Sequence, residues 1–144
     1  MSSFKAFEIA GSGMSAQSVR LNTTASNLAN AESVSSTPEG VYKARHPIFE
    51  AVRAQLAIGP HAGEANANAA VRVRGIYESQ APANQRYEPG NPLADANGYV
   101  YAPAVNAVEE MVNMISASRS YQNNVEVMNT SKHLLMATLR LGQG

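Results

Sequence analysis

The chain has 144 residues, with eleven Lys plus Arg, eleven Asp plus Glu, three His and no Cys or Trp. A chain of this length forms one domain, or one small domain plus extensions, with a modest core. The absence of thiols excludes disulfides and thiolate metal sites, and the lack of a basic excess argues against nucleic acid as a partner. Because the net charge is zero, copies repel one another little, so electrostatic repulsion does not oppose self-association.

The seven prolines divide the chain into three segments. All of them lie between Pro38 and Pro103, so both ends lack helix breakers. The predicted fold class is α+β: long N- and C-terminal helices (1–32 and 105–144) pair as a coiled-coil hairpin that carries a small central β/loop region (33–104). The start lacks a basic stretch followed by an apolar run, and no stretch approaches the roughly 18 apolar residues of a membrane span. A soluble protein, or one exported without a cleaved signal, is therefore expected.

The first segment has a seven-residue rhythm that begins at Phe4. Its stripe residues alternate spacings of three and four, which keeps them on one face of a helix about 40 Å long. Large side chains recur every seven residues, and the small ones between them would let a partner helix approach closely. The large residues are Phe7, Met14, Leu21 and Leu28, and the small ones are Gly11, Ser18 and Ala25.

A nucleotide-binding alternative rests on the same stretch. Gly11, Gly13 and Ala16 fit a G-x-G-x-x-A pattern. Glu32 follows at the distance of a ribose-binding acid. Such a site needs a strand before Gly11 and a second parallel strand after the helix. No apolar run follows Ala31 and the seven-residue rhythm passes through Gly11 unbroken, so closely packed glycines are the favoured interpretation.

The central region predicts short strands and loops. In residues 71–74, valine alternates with arginine, a period-two pattern that is typical of a half-buried strand. Residues 41–52 predict another strand, broken at Pro47. Residues 57–71 are dominated by Ala, Gly and Asn, which indicates a flexible loop or an irregular insertion.

The chain offers no catalytic constellation. It has a single aspartate, Asp95, and its three histidines are scattered at His46, His61 and His133. None has a carboxylate or a second histidine at ligand spacing. Residues 95–98, "DANG", resemble part of a calcium loop without its other ligands, so their Asn-Gly pair predicts a tight turn before a strand at 99–101. No enzyme activity, cofactor, metal or small-molecule substrate is therefore expected.

The last segment repeats the rhythm of the first. From Ala107 to Leu139 the stripe again steps by four and three, and Val108, Val112 and Ile115 add a second apolar stripe. Pairing of the two terminal helices is the simplest way to bury both main stripes. The residues predicted to hold this hairpin together are Met14, Leu21, Leu28, Met111, Met114, Tyr121, Val125, Met128 and Leu135.

The remaining faces of both helices carry amides and hydroxyls where a solvated coiled coil carries Glu and Lys. Burial against neighbouring subunits explains this choice, because a buried charge is costly whereas an amide satisfies its hydrogen bonds across a contact. The alternatives are a plain polar surface and a segment that is disordered in isolation. The residues predicted to contact other subunits are Asn22, Asn27, Asn30, Asn123, Asn124 and Asn129.

Three stretches carry a family resemblance. "ASNLANAES" at 25–33 resembles the N-terminal signature of bacterial flagellar axial proteins. Residues 106–144 and their lead-in at 90–103 closely resemble the C-terminal helix of the proximal rod members of that family. The match is weakest at 54–70. Residues 31–44 depart from the wider family, in which "N-T-x-G-Y-K" follows the Asn-rich helix directly.

The resemblance implies a structural subunit of the flagellar basal-body rod, the periplasmic drive shaft that transmits torque and surrounds the export channel. It implies export through the flagellar type III apparatus without a cleaved signal peptide, an inner layer of terminal helices and an outer layer from the central region. The implied partners are copies of the chain, other flagellar rod proteins, the hook–basal-body protein that links rod to membrane ring, and the export apparatus.

Two other functions remain open at this point. The first is a self-associating soluble adaptor built as a helical hairpin, which predicts helices that are stable in the monomer and a small oligomer of defined size. The second, and least favoured, is the nucleotide-binding protein that uses Gly11 and Gly13.

Overall fold

Two long helices bracket four short strands in the computed structural model, which describes residues 3–53 and 69–142. Helix α1 (Ser3–Asn30) begins the described chain and helix α2 (Ala107–Leu141) ends it, so the α+β fold class is confirmed. Within the described residues, neither helix is long and apolar enough to cross a membrane. The elements between the helices are a 3₁₀ turn (Pro38–Gly40), β1 (Arg45–Arg53), β2 (Ala69–Glu78), β3 (Asn84–Tyr87) and β4 (Tyr99–Ala102).

The two helices pack side by side and run antiparallel. Arg20 Nη2 on α1 donates to Asn113 Oδ1 on α2 at 3.1 Å. Seven residues further along α1, Asn27 Nδ2 donates to Glu110 Oε2 at 3.0 Å. Residue numbers therefore rise along one helix while they fall along the other. This pairing brings the beginning and the end of the described chain to the same end of the molecule.

The seam between the helices consists of small and polar side chains. Its positions are buried or half-buried, and they alternate by three and four along α1 and recur every seven residues along α2. They are Ala10, Gly13, Gln17, Arg20, Thr24, Asn27 and Ala31 on the α1 side, and Glu110, Ala117, Asn124 and Ser131 on α2. The seam positions from Ala10 to Asn27 on α1, and all four on α2, each lie one residue before a residue of the predicted stripe. One residue corresponds to a rotation of about 100° around a helix, so the buried face differs from the predicted face by that angle.

This rotation changes the place of the residues predicted to hold the hairpin together. The large side chains flank the seam instead of filling it. Half-buried members are Met14, Leu21, Leu28, Met114, Val125, Met128 and Leu135. Two others, Met111 and Tyr121, are 52% and 36% exposed. Small seam residues bring the helices together on an adjacent face, so the role of Met111 and Tyr121 in holding the hairpin together stays a prediction.

Gly11 and Gly13 lie inside α1 and face α2. A Cβ at Gly13 would be 2.7 Å from Asn124 Nδ2, so glycine makes room for this side chain. A Cβ at Gly11 would be 3.5 Å from Met128 Cε, an ordinary contact. The nucleotide-binding alternative is wrong, because a helix occupies the place of the strand that the G-x-G-x-x-A pattern requires.

Strands β1 and β2 form an antiparallel ribbon, and both strands contact α1. The predicted strand around 71–74 lies within β2, and the Val71 N–H at the β2 edge donates to Ser12 Oγ of α1 at 3.1 Å. Val71 pairs with Ala51, so the Ala51 N–H also faces away from the partner strand. Successive nitrogens of a strand alternate in direction, and Pro47 lies four residues before Ala51, so its nitrogen faces away from β2 as well. The predicted break at Pro47 is therefore wrong: its nitrogen lies on an outer edge where no ladder bond is lost.

Strands β3 and β4 form the second ribbon, and the sequence pattern predicts only β4. The segment Asn84–Tyr87 pairs with Tyr99–Ala102 although it has no alternation of apolar and polar residues. Val100 of β4 is fully buried. A bridge between Ser35 and Tyr101 ties the segment after α1 to this ribbon. Of the loop predicted at 57–71, positions up to 68 lie outside the described residues and the last three belong to β2.

The turn before β4 is confirmed. Gly98 has φ +82°, the left-handed conformation that favours glycine. The Asp95 carboxylate accepts backbone N–H groups from Tyr99 at 2.9 Å and from Asn97 at 2.8 Å. These bonds, led by that from Tyr99, lower the pKa of Asp95 below its ordinary value because they stabilise the charged form. Asp95 therefore serves the turn.

Candidate assembly interface

A buried polar junction around Asn27 ties three elements together. Asn27 is 0% exposed, and its Nδ2 donates to Arg45 O at 2.9 Å and to Glu110 Oε2 at 3.0 Å. Its Oδ1 accepts from Arg45 N at 2.8 Å and from the Tyr42 hydroxyl at 2.9 Å. Both donors and both acceptor sites of the amide are thus satisfied. The junction fixes the start of β1 and the first turn of α2 on the end of α1.

The first turn of α2 suits the carboxylate that the junction receives. The Asn106 side chain accepts from the N–H groups of Val108 and Glu109, which caps the helix. Glu109 and Glu110 lie in the first turn, where the positive end of the helix dipole stabilises acidic side chains. Glu110 is buried at the seam, while Glu109 faces outward.

The structure places the six predicted contact asparagines in different environments. Asn22, Asn123 and Asn129 are exposed. Asn30 is half-buried and donates to Ser26 O within α1 at 2.8 Å, and Asn124 packs against Gly13. Asn27 differs from its prediction, because its hydrogen-bonding capacity is used inside the chain. A signal was present, since Asn27 lies one heptad from Arg20 and two from Gly13 on the seam.

An amino-terminal patch of exposed apolar side chains lies on the outside of α2. Its residues are Val108, Met111, Val112 and Ile115, and the most exposed, Val108, is 70% accessible. Spacings of three and four put all of them on one side of the helix, away from the seam. Single exposed apolar residues need no explanation, but a contiguous group of this kind marks an interaction surface.

A carboxyl-terminal patch lies at the other end of the same helix. Gly11 faces Met128, so the start of α1 lies level with α2 near residue 136, and the last turn of α2 extends beyond it. The patch consists of Leu134, Met136, Leu139 and Leu141, and Leu141 is 82% exposed. These side chains are spread around the helix. A helix end that is apolar on several sides is normally buried in an assembly.

Comparison with known proteins places both helices in a family. The family model described as "Flagella basal body rod protein" matches residues 7–34, and the one described as "Flagellar basal body rod FlgEFG protein C-terminal" matches residues 96–141. The protein named flagellar basal-body rod protein FlgC from Salmonella typhimurium is 52% identical over 137 residues, which cover 95% of this chain and 96% of that protein. The chain belongs to the FlgC family of flagellar basal-body rod proteins.

FlgC relatives from other bacteria extend the match to the whole chain. The FlgC protein of Yersinia enterocolitica is 52% identical over 143 residues, covering 99% of this chain and 100% of that protein. The FlgC protein of Borreliella burgdorferi is 37% identical over 153 aligned residues and covers both chains completely. The full length of the chain is therefore FlgC-like.

The two family models coincide with the parts of the FlgC fold that carry the seam and both patches. The first, 7–34, covers α1 except its first turn, and the second, 96–141, covers the turn at Gly98, β4 and all of α2. The β1–β2 ribbon lies between the two matched ranges. The surfaces available for assembly on α2 thus belong to the family-defining part of the chain.

Proposed function

We propose that this chain is a structural subunit of the proximal rod of the bacterial flagellar basal body. It polymerises into the periplasmic drive shaft, which transmits torque and surrounds the export channel. The observation that carries the proposal is its 52% identity, over 95% of the chain, to a flagellar basal-body rod protein. Two further observations support the proposal: α2 carries exposed apolar patches, and the chain has no net charge. Apolar patches mark interaction surfaces, and copies without net charge repel one another little.

The helices form the inner layer of this rod and the central region forms the outer layer. In the single chain the seam buries small and polar side chains, and large ones flank it half-exposed. Contact between neighbouring hairpins would bury these flanking residues, among them Met14, Leu21, Met111 and Tyr121, and complete a coiled-coil-like packing. Segments 1–32 and 105–144 correspond to the inner layer, and segment 33–104 corresponds to the outer layer.

The outward amides make the contacts between subunits. Asn22, Asn123 and Asn129 are exposed and uncharged, so they can exchange hydrogen bonds with a neighbour without the cost of burying a charge. Asn30 and Asn124 are only half-buried, so their amides are also within reach of a neighbour. The partners are copies of the chain, other flagellar rod proteins, and the hook–basal-body protein that links rod to membrane ring, after delivery by the type III export apparatus.

The proposed role is mechanical, in line with the rod-protein names of the relatives. The buried polar groups of the junction are paired with one another and with backbone groups of the chain. A subunit that carries load needs such satisfied internal contacts, because they fix the helices relative to the ribbon.

Complementation of a flagellated strain that lacks its own FlgC gene tests the proposal. A tagged copy of this chain is expected to restore swimming and to be present in purified basal bodies, within the rod. A matched variant, Asn123→Glu with Asn22→Glu, should be produced and exported but fail to enter rods, because it buries unpaired charges at subunit contacts. Swimming restored without the chain in the rod, or normal rods built from the variant, would contradict the proposal.

A further inference from the structure

The side chain of Asn27 binds the backbone of Arg45 as a neighbouring strand would. Its amide accepts from the Arg45 N–H at 2.8 Å and donates to the Arg45 carbonyl at 2.9 Å. Two residues of adjacent antiparallel strands exchange the same pair of bonds. Arg45 begins β1 and pairs with Glu78 at the end of β2, and the two side chains form an ion pair at 3.1 Å. Asn27 therefore anchors this end of the ribbon on α1.

The same amide depends on α2 for its second acceptor. Besides the Arg45 carbonyl, Asn27 Nδ2 donates to Glu110 Oε2 at 3.0 Å, and Glu110 is only 5% exposed. If the first turn of α2 moved away, one N–H of the amide would lose its acceptor. A buried donor without a partner is costly, and the amide could reach water only by leaving its buried position. That movement would also release Arg45.

A second attachment of the ribbon to α1 involves no residue of α2. The Val71 N–H of β2 donates to Ser12 Oγ at 3.1 Å, and the Ser12 hydroxyl donates to the Ile9 carbonyl of its own helix at 2.7 Å. Ser12 precedes Asn27 by fifteen residues on α1, or about 22 Å. The ribbon is thus held at two separate points, and the bonds of only one of them include α2.

We propose that Asn27 makes docking of the start of β1 conditional on pairing of the two helices. The ribbon is held firmly at Arg45 only while Glu110 of α2 occupies the junction, and by linkage the docked ribbon stabilises the first turn of α2 to the same extent. The inference goes beyond the proposed rod function and does not depend on it, since the coupling belongs to the single chain. In a rod subunit, it would position the ribbon after the helices have paired.

Hydrogen exchange of individual backbone amides in the purified full chain, followed by NMR, tests the coupling. Glu110→Ala removes the acceptor on α2 and alters no residue of α1 or of the ribbon. The Arg45 N–H is expected to exchange about tenfold faster in this variant, because the junction opens more often. The Val71 N–H, held by Ser12, is expected to change less than about twofold, because the two attachments open separately.

Two variants of the same turn serve as controls. Glu109→Ala changes an exposed carboxylate beside Glu110 and should leave exchange of the Arg45 N–H unaltered. Glu110→Gln keeps an oxygen that can accept from Asn27 and should preserve most of the protection. Equal acceleration of the Arg45 and Val71 amides by Glu110→Ala would overturn the proposal, because Glu110 would then support only the stability of the whole chain. Unchanged exchange at Arg45 would overturn it as well.

A milder change on the ribbon side provides a second measurement if Glu110→Ala does not fold. Tyr42→Phe removes only the hydroxyl that donates to Asn27 Oδ1. The Glu110 N–H, which donates to the Asn106 carbonyl in the first turn of α2, is expected to exchange about threefold faster, since coupling acts in both directions. Tyr87→Phe, at an exposed position on β3, is the control. Unchanged exchange of the Glu110 N–H in Tyr42→Phe would overturn the proposal.

Discussion

Asn27 shows at the scale of one residue why the chain uses amides where charges would be expected. A carboxylate or an ammonium at this place could not both donate and accept, whereas the junction requires two donors and two acceptors. The partner Glu110 is itself acidic, so a neutral donor is the suitable neighbour. Asn27, one of the uncharged residues predicted to contact other subunits, thus holds three segments of its own chain together.

Replacement of Asn27 by Ala measures the junction. The change leaves the Arg45 backbone groups, the Tyr42 hydroxyl and Glu110 without this partner, and we expect it to lower the free energy of unfolding by about 3 kcal/mol. Urea unfolding followed by circular dichroism gives the value. Asn30→Ala is the matched control, because the Asn30 bond stays within α1 and its loss should change stability by less than about 0.5 kcal/mol. Equal effects of the two changes would contradict this account.

At the scale of the elements, the sequence predicts the helices well and their orientation less well. The seven-residue rhythm correctly indicates α1 and α2, because any face of a long helix repeats with nearly the same period. The sequence-based prediction assigned the buried face of each helix from the positions of its large side chains. The seam uses Gly13 and Ala117 instead, since small side chains allow close approach, and the large ones lie one position away.

The candidate site shows the same limit. The exposed second stripe at Val108, Val112 and Ile115 is visible in the sequence, but its freedom from contacts depends on which face α1 covers. The junction joins Asn27 to Glu110, 83 positions away, and no local pattern reports such a contact. Strand β3 was missed because its pairing with β4, and not its own side chains, makes it a strand.

The two glycines of α1 allow a comparison of two nearby positions on one helix. Gly11→Ala is expected to raise the free energy of unfolding by about 1 kcal/mol, because alanine favours helix and meets only an ordinary contact. Gly13→Ala is expected to lower it by about 1 kcal/mol, because Asn124 must move. Thermal unfolding of both variants gives the two values. The double variant Gly13→Ala with Asn124→Ala should recover the loss, and failure to do so would place the cost elsewhere.

At the scale of the whole molecule, the exposed apolar surface is large relative to the core. The buried apolar side chains of the described residues are all alanines except Val100, whereas long apolar side chains on α2 and on the β1–β2 ribbon remain exposed. Burial of apolar area is the main favourable term in folding. The isolated chain therefore lacks stabilisation that neighbouring copies can supply.

Stability should accordingly depend on protein concentration. We expect the midpoint of thermal unfolding of the purified chain to rise over an approximately hundredfold increase in concentration, because association stabilises the folded state by mass action. Circular dichroism in cells of different path length measures this. The variant Val112→Gln with Ile115→Gln, which makes the amino-terminal patch polar, should show a smaller rise. A midpoint independent of concentration in the unaltered chain would instead favour a hairpin that is self-sufficient as a monomer.

Pro47 in β1 helps to prevent strand-to-strand aggregation between closely packed copies of the chain. A regular free strand edge is a template for amyloid-like growth, and subunits held close together would be exposed to it. On the outer edge of β1, Pro47 removes a donor and Asn27 occupies the Arg45 N–H. On β2, the unpaired Arg74 opposite Ile48 and Phe49 interrupts the regular pairing, and Ser12 occupies the Val71 N–H at the edge. Neither edge of this ribbon offers an uninterrupted template, so ordered growth is left to the helices.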